Sequence, residues 1–465
     1  MRLLTLRLWL FFCCTIGLSS VYAQSVSGKL AAAFKTFRAD PQLRNSIAAL
    51  YVVDAKTGEE VFGENETSGL VPASTMKVIT SASAYELLGK EFRYKTSFAF
   101  HKSADGASLL VLPDGDPTFG SWRWSDTKED AMLSGITQAV KKTGIKSFHT
   151  VVVDNAGWEV EPVPDGWLWQ DIGNYYGAGP AKLNWRENQF DVILKSGSKV
   201  GDPVTIMAMQ PAISGYTLQS KLTAAAAGTG DQAYIYFPLN GTTGTIRGTI
   251  PVNQSRFSIS GAMPDASEQF VSTLQDALAT AGIKSPATAL ATGAARNPVK
   301  SYTTFHTVTS PPLDSIIYWF NRKSINLYGE ALLKTIAYKG EGTGATEAGV
   351  ELIKSFWEQQ GIPETELNIV DGSGLSPLNR VTTHAQVSVL QHARKQPWFG
   401  GFYASLPVLN GMKMKSGTMH GVKGFTGYHR AKDGKEYVFS FVVNNYNGSA
   451  SSLVKKMYAV LNALK

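Results

Sequence analysis

Hydrophobic and polar positions divide the chain into three stretches of different character. In the first, two apolar runs between Ala49 and Gly63 flank a turn at residues 56–58, which predicts a β-hairpin. The next apolar run begins near Pro72 and predicts a helix that ends at Gly89, because glycine is favoured just after a helix. A hairpin leading into a buried helix is therefore expected at the start.

The second stretch, residues 98–304, alternates short apolar runs with turns rich in glycine, proline and threonine. This pattern predicts strands near 108–112, near 150–154 and throughout 196–259, and helices near 128–143 and 268–281. Aromatic residues crowd the segment 158–185, which favours either packing between domains or ligand contact. The stretch as a whole predicts an inserted β-rich region, of one module or two nested ones.

In the third stretch the helical spacing of apolar residues returns. Helices are predicted at 313–321, 327–338, 346–360 and 451–464, and strands at 367–370, 412–418 and 436–445. Residues 24–97 and 305–465 are therefore expected to form one α/β (α+β) domain that the insertion interrupts.

The N-terminus has the pattern of a secretory signal peptide. Arg2 and Arg7 precede a short apolar run, and the small residue Ala23 suits a cleavage site. Residues 1–23 are thus predicted to be a signal peptide, and the protein is predicted to be exported, to the periplasm or the cell envelope. Both cysteines, Cys13 and Cys14, lie in this segment, so the mature chain is expected to have neither disulfides nor a thiol nucleophile.

Charge and composition exclude several classes. Removing 23 of 465 residues leaves 442, and the loss of two arginines lowers the formal charge from +7 to +5. This charge is spread without basic runs, so nucleic acid is not an expected partner. The seven histidines show no ligand spacing, so neither a metal nor another cofactor is expected. His384, His392, His420 and His429 are interpreted as ordinary helix or strand residues.

Candidate chemistry begins with Ser74 and Lys77 at the start of the first helix. Residues three apart on a helix are neighbours, so the hydroxyl and the amine can come within hydrogen-bond reach. Burial among apolar residues would lower the pKa of the lysine and let it act as a base toward the serine. The alternative is a serine that caps the helix beside a surface lysine.

Two further motifs follow in order along the chain. They are Ser324-Ile325-Asn326, between two predicted helices, and Lys415-Ser416-Gly417-Thr418, on a predicted edge strand. Together with S-x-x-K, such motifs are the signature of class A β-lactamases and penicillin-binding proteins. Each motif is short, but their order and their predicted contexts agree.

Over essentially the whole mature chain, the sequence resembles the low-molecular-mass class C penicillin-binding proteins, which are D-alanyl-D-alanine carboxypeptidases and endopeptidases. The resemblance rests on the three motifs, on residues 324–330 and 371–376, and on the long insertion between the first and second motifs, which class A β-lactamases lack. It implies a serine β-lactamase/penicillin-binding-protein-like transpeptidase domain with one or two inserted β-rich domains. Serine replaces the more common threonine at position 416, and either residue supplies a hydroxyl.

The chemistry assigns roles to the motif residues. Ser74 is expected to attack the carbonyl between two D-alanines, with Lys77 as base. Ser324 would relay the proton to the leaving amine, Lys415 would hold Ser324 and attract the substrate carboxylate, and Asn326 would bind the substrate amide and Lys77.

The third motif is also expected to bind substrate directly. The backbone N–H groups of Ser74 and Thr418 would form an oxyanion hole. The hydroxyls of Ser416 and Thr418 are candidate carboxylate ligands, with Gly417 between them on the same strand. The resemblance further implies that Asp171 and Tyr176 form a pocket for the free amine of diaminopimelate. Expected partners are thus peptidoglycan stem peptides and β-lactams, and a loose association with membrane or cell wall stays open.

Two alternative functions remain open at this point. Glu364-Thr365-Glu366-Leu367-Asn368 matches the E-x-x-L-N pattern in which class A β-lactamases carry the glutamate that activates the deacylating water. A serine β-lactamase is therefore the first alternative. The second is a non-catalytic, penicillin-recognising protein that only binds the cell wall.

Overall fold

The computed structural model describes residues 25–104, 106–159, 161–213, 215–238, 241–285 and 301–465. The predicted signal peptide, residues 1–23, lies outside the described residues. Within the described part, no helix is long and apolar enough to cross a membrane.

The described residues form eleven α-helices and eighteen strands. The helices are α1 (Val26–Arg38), α2 (Lys77–Leu88), α3 (Glu129–Thr143), α4 (Trp169–Ile172), α5 (Ala266–Thr280), α6 (Leu313–Lys323), α7 (Asn326–Glu341), α8 (Thr346–Gln359), α9 (Thr383–Arg394), α10 (Phe399–Ser405) and α11 (Ala450–Leu461). The strands are β1 (Ile47–Asp54), β2 (Glu60–Glu64), β3 (Lys95–Ser103), β4 (Gly106–Leu112), β5 (Phe148–Val153), β6 (Gln189–Lys195), β7 (Thr205–Gln210), β8 (Thr217–Ala225), β9 (Gln232–Tyr236), β10 (Thr243–Pro251), β11 (Phe257–Ala262), β12 (Thr303–Thr309), β13 (Leu367–Asn368), β14 (Arg380–Val381), β15 (Val408–Leu409), β16 (Met412–Met419), β17 (Val422–Arg430) and β18 (Glu436–Asn444).

The central sheet joins the two ends of the chain. Its six strands lie in the order β15-β16-β17-β18-β1-β2. β1 pairs antiparallel with β18 along its whole length, from Ile47 opposite Asn444 to Asp54 opposite Tyr437. The early strand thus completes a sheet made by late strands, and the insertion leaves this sheet uninterrupted.

Alternate residues of β18 bury into two different layers, as the period of a strand dictates. Phe439 and Phe441 point into a core closed by α1 and α11, where Phe37 meets Phe441 edge to face at 5.2 Å between ring centroids. Val438 belongs to the other core, which α2 and the helices α6 to α10 share and which includes Trp357. The sheet therefore lies between two helical layers, and α2 is buried in the larger one.

The insertion contains two cores of its own. In the first, the sheet β12-β3-β4-β5 packs with α3 and α5 around the aromatic side chains of Phe98, Phe119, Trp185 and Phe270. In the second, the three-stranded sheets β11-β6-β7 and β8-β10-β9 share an apolar core that includes Ile235 and Ile246.

The ends of the insertion are joined by one strand pair. β3 runs antiparallel to β12, with Lys95 opposite Thr309. The boundaries predicted from sequence, after residue 97 and after residue 304, fall inside these two strands. Because paired strands act as a unit, we propose that the insertion begins with β3 and ends with β12, and that the second core is nested within the first module.

Candidate active site

Ser74 lies on a tight turn in front of α2. The turn is a 3₁₀ helix, Ala73–Met76, rather than the first turn of an α-helix, and Ala73 has a φ of 46°. Thr75 Oγ1 donates to the carbonyl of Pro72 at 2.6 Å and accepts from Gln386 Nε2 at 3.0 Å. The turn is therefore fixed from inside the domain, and it leaves Ser74 half-buried at its surface.

Lys77 is fully buried and makes three polar contacts. Its Nζ lies 3.0 Å from Ser74 Oγ, 2.7 Å from Asn326 Oδ1 and 2.6 Å from the carbonyl oxygen of Ser373. Burial lowers the pKa of Lys77 to about 7, although the negative charges of Asp371 and Glu330 oppose this shift. A large part of the lysine population is therefore neutral near neutral pH.

The three contacts match the neutral form of the amine. A neutral amine has two N–H donors and one lone pair. The oxygens of Asn326 and of the Ser373 backbone can only accept, so they take the two N–H groups. The lone pair is then left for the third partner, the Ser74 hydroxyl, which can donate. This geometry suits Lys77 to take the hydroxyl proton.

Ser324 and Lys415 form a second pair beside the first. Ser324 ends α6 in the left-handed conformation, with φ 58° and ψ 42°, which turns the chain so that α7 can begin at Asn326. Lys415 Nζ donates to Ser324 Oγ at 3.0 Å and to the carbonyl of Ser416 at 2.8 Å. Burial is the main reason that the pKa of Lys415 lies well below its ordinary value, and the charges of Lys77 and Lys423 lower it further.

The strand that carries the third motif passes very close to the serine turn. A Cβ added to Gly417 would lie 2.6 Å from the carbonyl oxygen of Pro72 and 3.1 Å from the backbone nitrogen of Ser74. Glycine is therefore required at this approach. β15 pairs only with Met412 and Lys413, so the strand edge along residues 415–418 is open to a substrate backbone.

The two hydroxyls of this motif differ in their surroundings. Ser416 is half-buried, whereas Thr418 is exposed and its Oγ1 accepts from Lys423 Nζ at 2.6 Å. Lys423 was not predicted as a site residue. It adds a second amine near the place where the sequence predicted a carboxylate ligand.

Asp171 and Tyr176 of the insertion lie next to the second motif. Tyr176 OH donates to Asp171 Oδ1 at 3.4 Å, and the carbonyl oxygen of Tyr176 accepts from Asn326 Nδ2 at 2.7 Å. Burial raises the pKa of Asp171, and it also raises that of Tyr176. The structure thus brings all ten predicted site residues to one region where the insertion meets the α/β domain.

The glycine-rich segment 371–376 makes a contact in the site that sequence reasoning did not predict. It forms a buried loop beneath Lys77, and the carbonyl of Ser373 accepts directly from Lys77 Nζ. Asp371 holds the loop: its carboxylate accepts from the backbone N–H groups of Gly374 and Ser376, at 2.8 and 2.6 Å, and from Trp167 Nε1 at 3.0 Å. A pattern of side chains cannot predict the position of a backbone carbonyl. The only sequence signal for this contact is the Asp-Gly-Ser-Gly turn itself.

Glu330 is a second residue that the prediction did not use. It lies on α7, fully buried, and its Oε2 accepts from the backbone N–H of Gly372 at 2.9 Å. Burial, followed by the charge of Asp371, raises its pKa to about 8. This carboxyl group therefore sits behind Lys77 and influences its protonation.

The glutamate of the motif that resembles the E-x-x-L-N pattern of class A β-lactamases lies on the surface. The side chain of Glu364 is 54% exposed and pairs with Lys354 Nζ at 2.6 Å. No hydrogen bond or ion pair among the described residues joins it to Ser74 or Lys77. The match to E-x-x-L-N is therefore a turn sequence in this structure, without contact to the serine.

The histidines take no part in this site, and two of them, which lie on α9 as predicted, contact glutamates. His384 Nδ1 lies 2.9 Å from Glu366 Oε2, and His392 Nε2 lies 3.0 Å from Glu86 Oε1. In the part of the chain that the structure describes, no group of three or more His, Cys, Asp or Glu side chains could hold a metal ion.

The fold and the three clustered motifs define a serine enzyme of the penicillin-recognising class. The chain belongs to the D-Ala-D-Ala carboxypeptidase 3 (S13) family, whose sequence model matches residues 30–464. The resemblance stated from the sequence is thereby confirmed.

Relatives with known names agree with this assignment. The chain is 27% identical to the D-alanyl-D-alanine carboxypeptidase of Actinomadura sp. (strain R39), over 90% of this chain and 82% of the relative. It is 23% identical to the D-alanyl-D-alanine carboxypeptidase DacB of Haemophilus influenzae, over 84% of both chains.

A crystal structure confirms the predicted fold class. Penicillin-binding protein 4 (dacB) from Haemophilus influenzae superposes with a TM-score of 0.77 over 93% of this chain and 98% of that one, at 20% identity. A second structure of that protein, complexed with a β-lactam, gives a TM-score of 0.71 at 18% identity. The α/β domain with inserted β-rich modules is therefore shared.

Proposed function

We propose that this protein is a serine-type D-alanyl-D-alanine carboxypeptidase and endopeptidase that acts on peptidoglycan stem peptides through an acyl-enzyme on Ser74. The observation that carries the proposal is the set of contacts of Lys77, which leaves its lone pair for the Ser74 hydroxyl. Family membership and the activity in the names of the relatives support the same reaction.

In the acylation step, Ser74 Oγ forms a bond to the carbonyl carbon between two D-alanines while its proton moves to Lys77 Nζ. The resulting oxyanion faces the backbone N–H groups of Ser74 and Thr418. When the C–N bond breaks, the leaving amine takes a proton through Ser324, which Lys415 holds at 3.0 Å. The terminal D-alanine leaves, and an ester to Ser74 remains.

In the second step water attacks this ester, and the shortened peptide leaves with a free carboxylate. An endopeptidase reaction is the same chemistry with a cross-linked amine as the leaving group. A β-lactam presents a strained amide to Ser74 and forms an ester whose leaving group stays attached, so penicillin should label the protein.

Residues on both sides of Ser74 would select the substrate. Lys415, Ser416 and Thr418 would bind the terminal carboxylate at the open strand edge. Asp171, with Tyr176 beside it, would pair with the free amine of a diamino acid at the third position of the stem. We further propose that residues 1–23 direct the protein out of the cytoplasm, to the periplasm or the cell envelope, where its substrate lies.

The decisive experiment is incubation with defined muropeptides, one cross-linked and one ending in D-Ala-D-Ala, followed by mass analysis. Release of D-alanine from the second, or cleavage of the first, is expected from the wild-type protein. Correctly folded protein that processes neither peptide would overturn the proposal. Slow labelling by penicillin without any product would instead favour the non-catalytic wall-binding alternative.

The pocket at Asp171 has its own test. Peptides with a free side-chain amine and with the same amine acetylated are compared on wild type and on Asp171→Asn. The wild type should prefer the free amine, and the variant should lose that preference through a raised KM. An unchanged preference would remove Asp171 from the substrate site.

A further inference from the structure

The outer face of the sheet β8-β10-β9 carries an unusual set of side chains. In this sheet Ile235 and Ile246 point into the core, so the alternating residues Tyr234 and Tyr236 of β9 and Arg247 of β10 point outward. The register places Arg247 opposite Tyr234 on one side and opposite Lys221 of β8 on the other. Two aromatic rings and two cations therefore share one exposed face.

This face is continuous with the segment that carries Asp171. Trp169, in the same short helix, donates from Nε1 to the carbonyl of Phe237 at 3.2 Å, and its ring meets Tyr236 edge to face at 4.9 Å. The guanidinium of Arg247 lies 4.7 Å from the centroid of Tyr236 and 5.4 Å from that of Trp169. We call Trp169, Tyr236, Arg247 and Lys221 the basic shelf.

Strand β9 of the basic shelf also contacts the segment that carries the predicted amine pocket. The backbone N–H of Ile235 donates to Asn174 Oδ1 at 3.0 Å, and the neighbouring Tyr234 lies near enough to Tyr176 to raise its pKa. Tyr176 in turn reaches Asn326 through its backbone carbonyl. A path of adjacent residues thus leads from the serine, past Asp171, to Arg247.

The basic shelf concentrates positive charge at the surface. Arg247 and Lys221 lie directly opposite each other on parallel strands, and both side chains are exposed. Among the residues that the structure describes, neither Arg247 nor Lys221 makes an ion pair. Trp169 is also 54% exposed. Two unneutralised cations beside an exposed indole are what a surface needs to bind an anion that carries an apolar stem.

We propose that the basic shelf is a further substrate subsite, which binds a carboxylate on the part of the stem peptide that extends beyond the group at Asp171. The guanidinium of Arg247, which packs over the rings of Tyr236 and Trp169, can present two parallel N–H donors to that carboxylate. Stem peptides carry such a group when a glutamate linked through its side chain precedes the diamino acid. This inference rests on the proposed function, because it uses the same substrate.

The test compares two synthetic pentapeptides that end in D-Ala-D-Ala and differ only at this glutamate, one with a free α-carboxylate and one with a carboxamide. Wild type, Arg247→Gln and the control Arg256→Gln are assayed with both. Arg256 is an exposed arginine of the same module whose guanidinium donates to Gln210 Oε1 at 3.4 Å. Thermal unfolding checks that all three proteins are folded.

Arg247→Gln should raise KM for the carboxylate peptide about tenfold with kcat unchanged, since a charged hydrogen bond made equally in ground and transition states is lost. It should change the carboxamide peptide by less than about twofold, and Arg256→Gln should behave like wild type. Equal effects of Arg247→Gln on both peptides, or none on either, would overturn the subsite.

A short substrate whose only charged group is its terminal carboxylate separates this inference from the proposed function. A diacylated tripeptide ending in D-Ala-D-Ala cannot reach the basic shelf, so all three proteins should release D-alanine from it at the same rate. If no peptide is processed, the proposed function fails. The subsite is then judged by calorimetric binding of the two pentapeptides to Ser74→Ala and to Ser74→Ala/Arg247→Gln protein, where only the first should prefer the carboxylate.

Discussion

Asn326 and Tyr176 are joined by a hydrogen bond that orients the Asn326 amide toward Lys77. Asn326 Nδ2 donates to the carbonyl oxygen of Tyr176 at 2.7 Å, so the other end of the amide, Oδ1, must face Lys77 Nζ. An amide turned the other way would point a donor at the lysine and compete for its lone pair. The insertion therefore helps to keep that lone pair directed at Ser74.

The first prediction concerns the nucleophile. Ser74→Ala should abolish covalent labelling by penicillin and all release of D-alanine, because no other hydroxyl contacts Lys77 Nζ among the described residues. Intact-protein mass spectrometry after exposure to penicillin measures the adduct. The control is Ser355→Ala, which removes an exposed helix serine and should leave labelling unchanged. An adduct on the Ser74→Ala protein would disprove the assignment.

The second prediction is the pH dependence of acylation. Burial lowers the pKa of Lys77 to about 7, so the amine is protonated, and unable to act as base, below that pH. The acylation rate should therefore rise with pH through about 7, with roughly a tenth of the plateau rate one pH unit below the pKa. Stopped-flow acylation by a chromogenic β-lactam between pH 5.5 and 9 measures it.

A flat profile over that range would show that proton transfer to Lys77 does not limit acylation. A rate that still rises about tenfold per pH unit at pH 9, with no plateau, would show that the lysine keeps the pKa of an exposed amine. Either result would contradict the neutral amine inferred from its contacts with Asn326 and Ser373.

The third prediction uses the close approach of β16 to the serine turn. Gly417→Ala would place a Cβ 2.6 Å from the carbonyl oxygen of Pro72, so strand and turn must separate. A shift approaching 1 Å in such a site should slow acylation on the order of 10²-fold. Gly400→Ala is the control, since no atom lies within 4 Å of its added Cβ. Similar acylation rates in the two variants would show that the approach is not required.

Parts of this site could be predicted from sequence because they depend on local spacing. Ser74 and Lys77 are three residues apart on a helical turn, and the Ser324 and Lys415 motifs lie where the hydrophobic pattern ends a helix and places a strand. The pattern could not reveal the Ser373 carbonyl, which is a backbone atom brought near by a loop that Asp371 folds. It also could not reveal that Trp167, from the insertion, would donate to that same carboxylate.

The sequence also could not show which charged groups are buried or how their surroundings change them. Glu330 occupies a position that helical spacing marks as inward, but only the tertiary structure shows that Gly372 and Asp371 surround it and that its pKa is raised to about 8. In the same way, the sequence alone indicates only that Arg247 is a polar residue of an alternating strand. Its significance depends on the register that sets it opposite Lys221 and on the ring of Trp169, which is distant in sequence.

The fourth prediction tests how the insertion is held to α7. Tyr328 OH donates to Glu187 Oε1 at 2.7 Å, and the same carboxylate pairs with Arg123. Tyr328→Phe should lower the free energy of unfolding by about 2 kcal/mol, because a buried hydrogen bond to a charged group is lost. Tyr94→Phe, which removes a bond to the neutral hydroxyl of Thr335, should cost about 1 kcal/mol. Urea unfolding measures both, and an equal or smaller loss for Tyr328→Phe would contradict this view of the network.

The last prediction separates a peptidase from a β-lactamase. A penicillin ester on Ser74 persists unless a base activates water beside it, and in class A β-lactamases a glutamate has that role. Here Glu364 is exposed and bound to Lys354, so Glu364→Ala should leave the hydrolysis rate of the adduct unchanged within about twofold and stability within about 0.5 kcal/mol. Decay of the adduct is followed by mass spectrometry, and Lys354→Ala is the matched control for loss of the ion pair.

Rapid hydrolysis of penicillin that disappears in Glu364→Ala but not in Lys354→Ala would identify a β-lactamase. A long-lived adduct in all three proteins is expected of a peptidase, in which water hydrolyses the ester of a stem peptide but not that of penicillin.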